Sequence, residues 1–394
     1  MTFTATAQQP RVELEQPTRL GSIPLRGAWV EIDLRRLRRN FELINADKPP
    51  QVRVLSVIKD DGYGHGALAV ARVALAAGAT YLGVGTLEEG VRLRQQGVTA
   101  PTLLLGQRLP AELPWCVRYN LTCQVQDASI IRGLGAAAAE VGRRVPVHLK
   151  VNTGMNRYGV PWTQAMELVE LVLQQPALEL EGLFSHFATA EAADKSFARL
   201  QLERFQMVLA QLEARGVRVK YRHFCNSAGL LDLPEAHFDM VRIGLLPLGV
   251  YPSTACRRLP GLEPVMSVKA RIAAVQQIGP TESVGYGQRY RARSRRRIAV
   301  LPIGYGDGFP YLCNQGAALI RGHRAPLVGS VAMDALTVDV TDIPEAQVGD
   351  EAVLMGRQGQ AEISALELAH LKNSIPYDVL VGWRTRLPRV YLGA

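Results

Sequence analysis

The chain has 394 residues, a formal net charge of +9, 47% hydrophobic and 21% charged residues, the composition of an ordinary globular protein long enough for one large core and a smaller second one. No stretch approaches the roughly 18 apolar residues needed to cross a bilayer. Five cysteines, odd in number and scattered without a Cys-x-x-Cys pair, argue against a disulfide framework or a zinc site and point to free thiols in a cytoplasmic protein without a metal.

In chain order, residues 1–26 are polar, contain prolines and lack the basic-then-apolar order of a secretory signal, so they read as a flexible leader. Trp29-Val30-Glu31-Ile32 is a strand-like run expected to pair with a second domain. Leu34, Leu37, Phe41 and Ile44 then recur at helical spacing, with Arg35, Arg36, Arg38 and Arg39 on the outer face of that amphipathic helix. A second basic cluster runs from Arg289 to Arg297. Neither is accompanied by an aromatic stacking platform or a helix-turn-helix pattern, so both read as solvated surface and not as a nucleic-acid interface.

From residue 52 short apolar runs alternate with helix-period segments. Eight strands are predicted: Val52 to Lys59, Tyr81 to Thr86, Thr102 to Gly106, Leu121 to Val125, Val145 to Asn152, Leu178 to His186, Tyr221 to Asn226 and Met240 to Gly244. Helices are predicted between most of them, and only the eighth is indistinct. This is the pattern of a (β/α)8 barrel, a TIM-type α/β fold over residues 27–260. Catalytic groups in such barrels come from the C-terminal ends of strands. Here those ends carry Lys59, Lys150 with Asn152, His186, Asn226 with Ser227, and Arg242 with Gly244. On the fifth strand His148, Lys150 and Asn152 share one face and Val147, Leu149 and Val151 the other, so the polar set can line the barrel interior. Taken alone, His148 reads as a satisfied interior group. Beyond residue 261 strands follow one another with short turns, from Val265 to Ala274 through Glu351 to Leu354, indicating a mostly-β domain over 261–394.

Lys59 is the most informative residue. It ends an apolar, β-branched run and opens a segment with glycines at 62, 64 and 66, where a strand delivers an amine into a backbone-rich rim. A lysine so placed either caps the strand as a solvated side chain or, with its pKa lowered by burial, suits covalent attachment to an aldehyde cofactor.

An ordered series of motifs resembles the alanine racemases, enzymes dependent on pyridoxal phosphate (PLP). The series comprises Val57-Ile58-Lys59 with Tyr63-Gly64-His65-Gly66, His148-Leu149-Lys150-Val151-Asn152-Thr153-Gly154-Met155-Asn156-Arg157, Ser185-His186-Phe187-Ala188-Thr189-Ala190, and Asn226-Ser227-Ala228. It continues with Val241-Arg242-Ile243-Gly244, Ser283-Val284-Gly285-Tyr286-Gly287, Leu301 to Gly308, and Met333-Asp334. The resemblance implies Lys59 and Tyr286 as two catalytic bases on opposite faces of the substrate. It implies Tyr63, Ser227, the backbone at Gly244 and Leu245, and Tyr377 around a phosphate. Arg242 falls at the pyridine nitrogen, His186 between it and the tyrosine, Arg157 and Met333 at the substrate carboxylate, and Lys150 at a lysine often carried as a carbamate. Asn226, Tyr305 and Asp334 support these, with Tyr305 and Tyr377 crowding the space around a small side chain. The resemblance further implies a head-to-tail homodimer with shared sites, interconverting L- and D-alanine for peptidoglycan.

Four places depart from the family's usual wording: Asp60-Asp61-Gly62, Asn152 for Asp, Asn156 for Gly, and Pro247-Leu248. They leave open racemisation of serine or a broader range of amino acids. The rival PLP decarboxylases of similar architecture usually oppose the pyridine nitrogen with an acid, where this chain has Arg242.

Overall fold

Eight short strands that are apolar on their outer faces, most of them followed by a helix able to cover that face, bury both surfaces of a parallel sheet only by closing it. The computed structural model of the protein describes residues 26–393 and a two-residue pairing of Arg19–Leu20 with Ile23–Pro24. The leader expected over residues 1–26 otherwise lies outside the described residues. The first labelled strand, β1 (Ala28–Asp33), runs into α1 (Leu34–Asp47), whose N-cap Asp33 accepts from the Arg35 and Arg36 N–H groups. The barrel strands are β2 (Arg53–Val57), β3 (Tyr81–Val84), β4 (Thr102–Leu104), β5 (Thr122–Val125), β6 (Val145–Asn152), β7 (Leu178–Phe184), β8 (Tyr221–His223) and β9 (Met240–Ile243). All pair in parallel, in the order β8-β7-β6-β5-β4-β3-β2-β9. The seam between β8 and β9 is spanned by two backbone bonds, Asp239 N to Arg222 O (3.1 Å) and Arg242 N to Cys225 O (2.9 Å).

The outer layer comprises α2 (Ala67–Ala76), α3 (Leu87–Gln95), α4 (Leu113–Arg118), α5 (Ala128–Glu140), α6 (Ala165–Leu173), α7 (Ser196–Ala214) and the short α8 (Ser227–Asp232). After β9 the chain makes only a 3-10 turn, Leu246–Leu248. The eighth place is filled by α1, which packs between α2 and that turn. The buried Asn40 of α1 donates to the carbonyls of Pro247 (2.9 Å) and Glu263 (2.8 Å). Sequence order hides this closure because the covering helix precedes the strand that needs it.

Inside the barrel, one end holds Leu55, Tyr81, Leu103 and Met240. His148 and Lys150 also face inward, while Val147, Leu149 and Val151 are fully buried in the layer between strands and helices.

The main strands of the second domain are β10 (Met266–Arg271), β11 (Ala274–Ile278), β12 (Arg296–Leu301), β13 (Ala317–Ile320), β14 (His323–Pro326), β15 (Leu336–Asp339), β16 (Glu351–Gln358) and β17 (Arg389–Leu392), besides a two-residue hairpin pairing Ser283–Val284 with Tyr290–Arg291. Two sheets result, β14-β13-β16-β10-β1-β17 and β11-β12-β15. β1 is antiparallel to β10 and parallel to β17. The run Val265 to Ala274 is therefore two strands. At Ile272 and Ala273 the chain leaves one sheet for the other, with Ile272 N donating to Asp350 O and Ala273 N to Val300 O, a corner of the kind packed sheets use. The helices α9 (Ala365–Leu371) and α10 (Pro376–Gly382) precede β17, and α10 packs against the Lys59–Tyr63 segment at the barrel mouth. Among the described residues no helix is long and apolar enough to cross a membrane, and no three His, Cys, Asp or Glu side chains converge on a metal site. All five cysteines are free.

Candidate active site

β2 stops at Val57, so Lys59 stands two residues past the strand, at the start of a turn with an unusual handedness. Asp60 (φ 51°), Asp61 (φ 53°), Gly62 (φ 64°) and Tyr63 (φ 53°) are consecutively left-handed. Each non-glycine residue there costs roughly 1–2 kcal/mol, and the turn persists because its surroundings over-determine it. Glu89 of α3 accepts from Asp60 N (2.6 Å) and from Gly85 N (2.7 Å), and Asp61 accepts from Ala67 N (2.8 Å). Gly64 (φ 77°) can have no side chain, since a Cβ would stand 2.6 Å from the Leu380 carbonyl of α10. The β domain thus helps to hold the loop that carries Lys59.

The turn ends by burying Tyr63 against Tyr377 of α10, with ring centroids 6.1 Å apart. Burial raises the pKa of both phenols, that of Tyr377 to about 12, so both remain protonated donors. Among the described residues neither hydroxyl has a hydrogen-bond partner. Beside them lies Gly244, where a Cβ would fall 2.6 Å from the Tyr63 hydroxyl. Ser227 is placed by its neighbour Asn226, which caps α8 by accepting from Gly229 N (2.9 Å), and the Ser227 hydroxyl accepts from Leu246 N (3.2 Å). Two unpartnered phenols, a serine hydroxyl and the backbone at Gly244 and Leu245 are neutral donors around a space that has no room for a side chain. That donor set fits a phosphate group.

Arg242, 3% exposed, sits deeper. Its Nη2 donates to the Ser185 carbonyl (2.7 Å), the Phe224 carbonyl (3.1 Å) and His186 Nδ1 (2.9 Å), and Nη1 donates to His223 Nδ1 (3.0 Å). Burial lowers its pKa to about 10, leaving a guanidinium that stays charged near neutrality and can only donate. Because His186 accepts at Nδ1, its proton stands on Nε2. Burial, then the charges of Arg242, Lys150, Arg157 and Lys59, push His186 well below the usual imidazole range. Lys150 Nζ lies 4.6 Å from the Phe184 ring centroid, whose other cationic neighbour is Arg242 at 5.1 Å. No hydrogen bond or ion pair engages that amine among the described residues, and burial followed by the charges of Arg242 and Arg157 lowers its pKa strongly.

Arg157 is exposed on the loop after β6. That loop is organised by Asn152, which accepts from Gly154 N (3.0 Å) and Asn156 N (3.1 Å) and donates to Asn156 Oδ1 (2.9 Å). Asn156 has φ 56°. Asparagine tolerates this left-handed region better than most residues, which fits the glycine that the resemblance leads one to expect there.

Tyr286, Tyr305 and Met333 form a separate group on the β domain. Tyr286 tips a hairpin between Gly285 (φ 70°) and Gly287 (φ 71°) and is 78% exposed. Gly285 lies beside Ser330, and the same segment leads to Met333 and the exposed Asp334. Tyr305 N donates to Ala332 O (3.0 Å) and Gly306 N to Met333 O (2.7 Å), so Tyr305 and Met333 are adjacent. Within one chain, no hydrogen bond, ring contact or ion pair among the described residues joins this group to the one around Lys59.

Sequence reasoning passed over Glu89, Glu181 and His223. The first had a signal: Thr86-x-x-Glu89 is a capping box, and the structure contains it. The other two had only their inward strand positions.

The chain is similar to known proteins over most of its length. Residues 32–252 match the family profile for the alanine racemase N-terminal domain, and residues 265–391 that for the alanine racemase C-terminal domain. A curated alanine racemase from Symbiobacterium thermophilum is 42% identical over 371 residues, covering 94% of this chain and 98% of the relative. One from Carboxydothermus hydrogenoformans is 40% identical over 370 residues, covering 93% and 100%. Among solved structures, an alanine racemase from Clostridium difficile 630 superposes with a TM-score of 0.89 at 32% identity, covering 93% of this chain and 96% of that one. A histidine racemase from Leuconostoc mesenteroides gives 0.86 at 27% identity, covering 94% and 100%.

Proposed function

The chain belongs to the alanine racemase family and is an amino-acid isomerase, and on that premise we propose that it interconverts L- and D-alanine with PLP, as a head-to-tail homodimer with shared sites. The barrel, over residues 27–260, holds the cofactor, and the β domain, over 261–394, completes the neighbouring subunit's site. Lys59 is the point of covalent attachment. Tyr63, Ser227, Tyr377 and the backbone at Gly244 and Leu245 hold the phosphate, and Arg242 faces the ring nitrogen. When bound, PLP supplies the electron sink that makes an amino acid's α-proton removable.

The side chains do the rest. Arg157 and Met333 hold the substrate carboxylate, which orients the α-carbon between two bases. Lys59 takes or returns the proton on the face of the D-enantiomer, and Tyr286 of a second copy does so on the opposite face. His186, with its Nε2 proton available, links Tyr286 to Arg242. Arg242 keeps its own protons, so it lends hydrogen bonds without protonating what it faces. Lys150, an amine of low basicity with no acid paired to it among the described residues, suits modification as a carbamate. Tyr305 and Tyr377 narrow the space to a small side chain, with Asn226 and Asp334 supporting the loops. D-alanine made in the cytoplasm would supply peptidoglycan.

The observation that carries this reading is Tyr286: a large phenol held outward on a hairpin tip and, among the described residues, joined by no hydrogen bond or ring contact to its own chain's barrel mouth, where Lys59 stands. Mixing Lys59→Ala with Tyr286→Phe tests it. Each homodimer is inactive, whereas random exchange restores one intact site in half the dimers, about a quarter of native activity. Failure to regain activity despite demonstrated subunit exchange refutes the shared site. A broader side-chain range is the second reading, favoured by the likeness to a histidine racemase, and α-deuterium incorporation from D2O across an amino-acid panel decides it.

A further inference from the structure

Arg242 is a buried guanidinium with no carboxylate in contact among the described residues. Its route to a counter-charge runs through two imidazoles. Arg242 Nη1 donates to His223 Nδ1 (3.0 Å), His223 Nε2 stands 2.8 Å from His148 Nδ1, and His148 Nε2 stands 3.2 Å from Glu181 Oε2. Only one arrangement of protons satisfies this chain. Since arginine cannot accept, His223 must accept at Nδ1 and carry its proton on Nε2. It therefore donates to His148 Nδ1, which leaves the His148 proton on Nε2, directed at the carboxylate. Both imidazoles are neutral in this arrangement. Burial lowers the pKa of each, and the positive charge of Arg242 adds to the effect.

Two backbone features make room for the chain. The pairing of β7 with β6 slips between Leu180 and Gly182, leaving Glu181 as the extra residue of a β-bulge, a device that re-aims a side chain. At Gly182 a Cβ would stand 2.7 Å from the His148 ring, so the imidazole lies where any other residue would exclude it. Tyr81 OH also donates to Glu181 Oε2 (2.9 Å), and Lys220 pairs with Oε1 (3.3 Å). Burial raises the Glu181 pKa, yet the bonds from His148 and Tyr81 and the Lys220 charge outweigh it and hold it near 2.

We propose that Glu181, acting through His148 and His223, is a positioning residue that orients Arg242 and steadies its charge toward the cofactor ring. The inference rests on the placement of Arg242 at that ring. Bonds in such a directed chain polarise one another, so a carboxylate at one end makes His223 Nδ1 a better acceptor at the other.

The test has two arms. In 15N-histidine NMR of the cofactor-free protein, His148 and His223 both show the Nε2–H tautomer, and Glu181→Gln shifts or removes the His148 imidazole proton. A native His223 protonated on Nδ1, or unchanged resonances in Glu181→Gln, overturns the relay whether or not the protein racemises alanine. In the PLP-loaded dimer, Glu181→Gln and His148→Leu lower kcat about tenfold, the weight of one charge-assisted hydrogen bond, with KM nearly unchanged. His148→Gln stays near native, because glutamine accepts at Oε1 and donates at Nε2 in the same direction. Equal losses in His148→Gln and His148→Leu, or none in any variant, overturn the proposal. Absence of PLP binding in the native protein would instead refute the functional reading and leave the tautomer result standing.

Discussion

Replacing Gly244 by alanine puts a methyl group where the structure has none to spare. The new Cβ would stand 2.6, 2.8 and 2.9 Å from the Tyr63 hydroxyl, Cε2 and Cζ, whereas unstrained contacts lie near 3.5–4.0 Å. The ring must retreat by roughly 0.6–1 Å in an interior packed as tightly as a crystal, and overpacking of this kind costs about 1–3 kcal/mol. Gly→Ala also removes about 0.4–1 kcal/mol of unfolded-chain entropy in favour of folding, so the net loss is about 1–2 kcal/mol. On the proposed function, displacement of the Tyr63 hydroxyl from the proposed phosphate position should further weaken PLP binding about tenfold, the worth of one hydrogen bond to a charged group. Urea unfolding of the cofactor-free protein and PLP titration by absorbance measure the two effects. Tyr63→Leu, combined with Gly244→Ala, removes the clashing atoms and should recover most of the stability cost of the alanine. A Gly244→Ala protein as stable as the parent, or a cost unchanged when Tyr63 is truncated, would refute the steric argument.

Burial lowers the pKa of His65 to about 4, against opposing hydrogen bonds that the imidazole donates to the Tyr63 and Gly62 backbone carbonyls, and between that value and an unfolded value near 6.5 the unfolded chain binds more protons. Stability should therefore be complete above pH 6.5 and fall toward pH 4, His65 alone accounting for about 2 kcal/mol at pH 5; a flat unfolding free energy between pH 7.5 and 5 contradicts this. Asn156→Ala must hold alanine at φ 56° and loses the bond to Asn152, costing about 1–2 kcal/mol, whereas Asn156→Gly should cost less than half as much; thermal unfolding ranks them, and equal losses would exclude backbone strain as the cause. Asp307 is fully buried, accepts from Arg26 Nη2 (2.6 Å) and Gly304 N (2.9 Å), and forms an ion pair with Arg386 Nε (2.9 Å). Because both guanidiniums are partly exposed, Asp307→Asn should cost about 2–3 kcal/mol, below the range for a fully buried pair, and a loss under about 0.5 kcal/mol by urea unfolding would show the carboxylate to be dispensable.

Local pattern was enough for much of this molecule. Alternation along Val145–Asn152 specified which side chains of β6 face inward, because a strand's period of two is a property of the chain itself. The lysine after an apolar run and the ordered motifs from Lys59 to Met333 likewise marked the candidate residues, and Thr86-x-x-Glu89 carried a capping signal. Tertiary structure decided what depends on distant partners. The eighth helical place went to α1 because ring closure is blind to chain order. The run from Val265 to Ala274 broke in two because its halves bond to different sheets, at Asp350 and Val300. The bulge at Glu181 exists only in register with β6, and no periodicity announces it. That Tyr286 stands exposed while Arg242 is sealed in the barrel follows from packing over the whole chain, since burial is set by what the rest of the fold brings near a residue and not by the residue's own neighbours in sequence.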